Sequence, residues 1–127
     1  MKDSVIILIV LLVFIIGLDV YSYYYLKNTA ADISRSIEEL PETIDREDWG
    51  KAYSSLAKTT KKWSSVKGVW AVLINHDEID NIDMILARLK SFVKYKDVNE
   101  SVAGYREFKE VVEHIPESQR FSLVNIF

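Results

Sequence analysis

From Val5 to Leu18 the chain reads VIILIVLLVFIIGL, fourteen apolar residues without a charge, and the run continues through DVYSYYYL to Leu26 with Asp19 as its one ionisable group. As a helix rising about 1.5 Å per residue, residues 5–26 cover roughly 33 Å, against a hydrocarbon core of about 30 Å. Tyr21, Tyr23, Tyr24 and Tyr25, with Lys27 just beyond, form the aromatic belt expected where a span leaves the bilayer. The apolar run also has the length of a secretory leader's core. The small-residue site nearby, Thr29-Ala30-Ala31, however, lies more than ten residues past it and behind the four tyrosines. The residues therefore predict an uncleaved transmembrane anchor over 5–26, a short tail at 1–4, and a domain over 27–127. Asp19, beside the tyrosine belt, reads as an interface-level carboxylate.

With much of its 49% hydrophobic content placed in that anchor, a chain of 127 residues has room for one domain and one small core. After the anchor every apolar pattern is helical. Ala30, Ile33, Ile37, Leu40 and Ile44 recur at spacings of three and four, so the spanning helix is expected to run on to Leu40 and stop at Pro41. Asp45 and Asp48 are placed to open a second helix, in which Trp49, Leu56, Trp63 and Trp70 fall seven apart with Tyr53 and Val66 alongside. Val102, Tyr105, Phe108, Val112 and Ile115 mark a last helix from near Asn99 to Pro116, followed by an apolar tail, FSLVNIF, expected to be packed. The predicted fold is all-α: the transmembrane helix continues into an antiparallel four-helix bundle.

The break between the second and third helices admits two positions. Asn75 as an N-cap, with Glu78 three residues on, is one. Gly68, preceded by Lys61 and Lys62, is the other, with cations near the helix end and glycine just past it. Because Val69, Val72, His76, Ile79, Asp83, Leu86 and Val93 keep an unbroken three-four spacing, Gly68 is the expectation. His76 then lies on the inward stripe, with Asp80 and Asp83 one and two turns on, while Asp77, Glu78 and Asn81 face water. Together with His114 of the last helix these residues are candidate ligands for a divalent metal. A buried histidine whose ring is satisfied by Asp80, with Asp83 bonding a neighbouring helix, explains the same pattern, and without a second His at i+4 or a repeated Glu-x-x-His the stretch is read as a structural polar cluster. No metal, no cofactor and no catalytic residue is assigned.

The heptad-spaced tryptophans, WAVLINHDEIDNIDMILARLKSFV and the ending EHIPESQRFSLVNIF resemble domain of unknown function 4363, a family of short anchored proteins from anaerobic, spore-forming Gram-positive bacteria. The resemblance covers nearly the whole chain and brings no activity. It implies an extracytoplasmic helical domain on a single span, with a YetF-like multi-span membrane protein as a possible partner. Lys and Arg counts near the span do not favour an inside N-terminus, but that rule weakens for long translocated segments. The expectation, leaning partly on the resemblance, is N-in with the domain outside. The absence of cysteine leaves the compartment undecided.

There is no Gly-rich phosphate loop and no nucleophile elbow, and a net charge of −3 argues against nucleic acid. A non-enzymatic accessory or interaction protein at the outer face of the membrane is the expected role, with a small-ligand or metal-sensing bundle built on His76, Asp80 and Asp83 as the alternative. One charge asymmetry bears on partners. Between Trp49 and His76 no acid occurs, but Lys51, Lys58, Lys61, Lys62 and Lys67 do. A second helix longer than the projecting part of the first should return its far end to the membrane. That would set Lys58, Lys61, Lys62, Trp63, Lys67 and Trp70 at anionic headgroups, as a membrane-interface turn.

Overall fold

The computed structural model describes the backbone of residues 1–126 and the side chains of residues 1–120. Five helices follow one another: α1 (Lys2–Ser36), α2 (Leu40–Asp45), α3 (Trp49–Leu73), α4 (His76–Lys94) and α5 (Val98–Ile126). The four long ones form a ring in which α1 lies against α3 and α5, and α4 lies against α3 and α5. The expected packing of the tail, residues 121–127, falls outside the described side chains.

Each long helix presents a three-four stripe to the centre. Leu26, Ala30, Ile33 and Ile37 come from α1 and the turn after it; Leu56, Trp63 and Trp70 from α3; Ile79, Ile82, Leu86 and Leu89 from α4; Phe108, Val112 and Ile115 from α5. All are 3% exposed or less. Burying a side chain of this size contributes about 1.5–3 kcal/mol, which makes this stripe the main source of stability. Gly104 lets α5 approach α4 closely, since a Cβ there would stand 3.1 Å from Leu89 Cδ1.

Pro41 does not end the first helix. α1 closes earlier, at Ser36, through tight turns in which Ile37 and Glu38 donate to Ser34 and Arg35. Pro41 then sits in the first turn of α2, where its missing N–H leaves no bond unmade. Leu40 and Ile44 are fully buried, so α2 closes one end of the bundle against α3 and α5.

The two turns near that end repeat one design. After α2, Glu47 takes a left-handed φ of 55° and Asp48 caps α3 by accepting from the Lys51 N–H at 3.2 Å. After α4, Lys96 takes φ 59° and Asp97 accepts from the Glu100 N–H at 3.1 Å. In both, the aspartate's own N–H reaches back to the preceding helix, Asp48 to Thr43 and Asp97 to Phe92, which is the Schellman closure with a non-glycine in the left-handed position.

At the opposite end the break falls at Asn75, not Gly68. Ile74 is extended, and the Asn75 side chain accepts from the Asp77 N–H at 3.1 Å, with Asp77 and Glu78 adding charge suited to a helix N-terminus. Gly68 lies on the exposed outer face of α3, where an added Cβ would meet nothing within 4 Å, so glycine is not required there. The spacing that seemed to run through the break was a coincidence of phase: Val69, Val72 and His76 are exposed, whereas Ile79, Leu86 and Val93 are buried. α5 also passes the expected stop. Pro116 lies inside it, buried next to Ile115, and packing of that face offsets the lost backbone bond.

Candidate functional site

The four residues expected to form a polar cluster are dispersed. His76 opens α4 immediately after its cap and is exposed, as are Asp80 and His114. Asp83 turns away from them towards α3, half-buried, where its Oδ1 accepts from the indole N–H of Trp63 at 2.8 Å and its Oδ2 pairs with Lys67. The inward placement of His76 fails with the Gly68 turn that it depended on. Among the described residues no group of three His, Asp or Glu side chains is arranged to hold a metal ion.

The fold changes the acidity of Asp83. Burial pushes its carboxyl up, but the bonds from Lys67 and Trp63 and the charges of Lys67 and Lys90 outweigh that, holding the pKa below the ordinary 3.8. The carboxylate is thus an anionic acceptor that joins α4 to α3.

His114 shares a cleft of about 360 Å³ between α4 and α5 with Glu78, Asn81, Glu110, Val111 and Ile115. Glu78 was expected in water; instead its Oε2 is enclosed, with no hydrogen-bond partner among the described residues. Setting the phase of α4 from Ile79, Ile82 and Leu86 places Glu78 on the flank towards α5, a placement that a helix beginning after Gly68 does not give.

The lysine and tryptophan stretch is not a turn either. Trp63 and Trp70 are 2% and 0% exposed and meet edge to face in the core. Trp70 donates to Thr29 Oγ1 at 2.8 Å, and Thr29 in turn donates to the Tyr25 carbonyl. Lys62 is bonded to Asp32 at 3.1 Å and Lys67 to Asp83, so two of the lysines are neutralised within the bundle. Lys58 and Lys61 stay exposed midway along α3, Lys58 beside a cleft with Arg35, Glu38 and Lys51. The far end of α3 does return along α1. Val72 and Leu73 line a cleft of about 270 Å³ with Asp19, Ser22, Tyr23 and Leu26, together with Gln119 of α5.

The packed part of α1 therefore starts near Asp19. A family model, Domain of unknown function (DUF4363), matches residues 20–126. The chain belongs to this family. Comparisons with curated proteins and with solved structures find no match. The DUF4363 match opens where α1 meets α3 and α5, and takes in the second half of α1 with all of α3, α4 and α5. Among the described residues of the DUF4363 chain, one helix, the one that starts at Lys2, is long and apolar enough to cross a membrane.

Proposed function

We propose that this DUF4363 chain is a single-pass membrane protein, anchored by residues 5–26 with its N-terminus inside, whose helical bundle works at the outer face as a non-enzymatic accessory or interaction subunit. The observation that carries the reading is the contrast along α1. From residue 5 to 18 every large apolar side chain is exposed, Ile16 least at 37%, while the same helix from Leu26 onward is core. Water is a poor neighbour for such a surface, and a bilayer is the matching one. The leader-peptide alternative is disfavoured by packing: cleavage at Ala31 would strip Leu26, Ala30 and the Thr29 acceptor of Trp70 from the folded bundle.

Support for a non-catalytic role comes from how the polar groups are committed. Asp83, whose acidity the fold shifts, is held by Trp63 and Lys67 as a structural tie, and His76 and Asp80 stand in solvent on a different face. A sensing bundle using His76, Asp80 and Asp83 loses its third member to that tie.

Membrane fractionation with alkaline washing, followed by protease digestion of right-side-out vesicles, tests the reading. The chain should resist extraction, and added protease should remove the bundle. Release by alkali defeats the anchor; protection until the vesicles are opened reverses the orientation.

A further inference from the structure

We infer that the end of the bundle next to the span is seated in the lipid interface, with Val69, Val72, Tyr21 and Tyr24 as its contact collar; this rests on the anchor proposed above. Length gives the first reason. The exposed apolar part of α1, residues 5–18, covers only about 21 Å, roughly 9 Å short of a hydrocarbon core. The next residues cannot extend the span independently, because Asp19, Ser22, Tyr23 and Leu26 already share a cleft with Val72, Leu73 and Gln119. A bilayer that accommodates α1 must therefore approach α3 as well.

Surface chemistry gives the second. Val72 is 83% exposed, Tyr21 70%, Tyr24 54% and Val69 47%, and they fall within one turn of each helix at this one level. Tyrosine and valine here are suited to the zone between headgroups and chains, where the ring is apolar and the hydroxyl wet. The polar turn Asn75 to Asp77 follows directly and limits the depth, so the collar reaches the interfacial zone and not the bilayer centre. Local thinning and a snorkelling Lys2 make up the remaining few ångströms. Contact by a buried second copy or by a multi-span protein would cover the same residues, and a test has to separate these from lipid.

The chain contains no cysteine, so single-cysteine variants report one position each. The full chain, reconstituted in vesicles and labelled with an environment-sensitive fluorophore, would carry Val72→Cys or Tyr24→Cys, with Leu12→Cys and Ala57→Cys as references. Quenching is read from aqueous iodide and from spin-labelled lipids with shallow or deep labels. Val72 and Tyr24 should lose most of their iodide quenching relative to Ala57 and be quenched by the shallow lipid, while Leu12 responds to the deep one. Iodide quenching of Val72 and Tyr24 equal to that of Ala57, with Leu12 still deep, overturns the collar and leaves the anchor standing. Iodide access at Leu12 overturns the anchor itself. Protection of Val72 from iodide without quenching by either lipid shows a protein covering, and that also overturns the collar.

Discussion

Trp63 and Trp70 meet edge to face, ring centroids 5.4 Å apart and planes at 88°, and their indole N–H groups leave the pair in different directions, to Asp83 on α4 and to Thr29 on α1. Two positions two turns apart on α3 thereby tie that helix to both of its ring neighbours. Removing either acceptor strands a buried donor, so the ties weigh more in mutation than their hydrogen bonds alone.

Asp83→Ala should destabilise the bundle by about 1–3 kcal/mol, because the Trp63 N–H loses its acceptor, whereas Asp83→Asn keeps an acceptor and should cost less. Denaturant melts of the full chain in detergent measure both. The folded pKa of Asp83 lies below its ordinary 3.8, so its stabilising contribution is complete above that value and fades as pH falls through the lower folded one. Wild type should therefore lose stability at about pH 3 relative to about pH 6 more steeply than Asp83→Asn does. Equal slopes would show that the carboxylate's charge contributes nothing.

On the other side of the pair, Thr29→Val and Trp70→Phe should each cost about 1–3 kcal/mol, and the double variant should cost clearly less than their sum. A double-mutant cycle by denaturation gives the coupling directly. Strict additivity would mean that the Thr29 hydroxyl does not hold the indole.

Lys96→Gly and Glu47→Gly should raise stability, by about 1 kcal/mol each, since both side chains sit in the left-handed region that glycine enters without a Cβ penalty. Thermal or chemical melts showing a loss at either position would mean that the side chain makes a contact outweighing its backbone strain.

Ser101→Ala should be neutral or stabilising by up to about 1 kcal/mol: the serine is fully buried and its hydroxyl has no partner among the described residues. A destabilisation on melting would reveal a hydrogen bond to that hydroxyl.

His76→Ala and Asp80→Ala should each change stability by less than about 0.5 kcal/mol, as expected of exposed side chains that neither make the cap bond nor enter the core. Zinc or manganese titrated into wild type should leave the melt unchanged. A metal-dependent rise that His76→Ala removes would restore the sensing reading.

The existence of long helices, the stripes of α1 and α5 and the tryptophan register were readable in the chain because period alone determines them: Leu56, Trp63 and Trp70 are buried as their spacing requires. The α3 to α4 break was harder. Gly68 is a conspicuous breaker, yet it stands on an outward face, while the signal that prevails is an asparagine side chain bonding two residues on. The site suffered most, since an error of seven residues in one break rotates every polar side chain after it. That Asp83 faces Trp63 and Lys67, or that Glu78 faces α5, is fixed by how helices meet and leaves no mark on local spacing.

One uninterrupted helix, α1, is at once the apolar segment and a wall of the core. With no hinge between them, tilt or rotation of the first half carries over to the second degree for degree. A domain on a slack tether sweeps a wide radius in search of a partner, but a bundle mounted in this way is a fixed post. Its reach is its own height, about 37 Å for the 25 residues of α3. On the anchor proposed above, a partner would have to come down to the bilayer in one azimuth, and a twist of the span would be presented at the top.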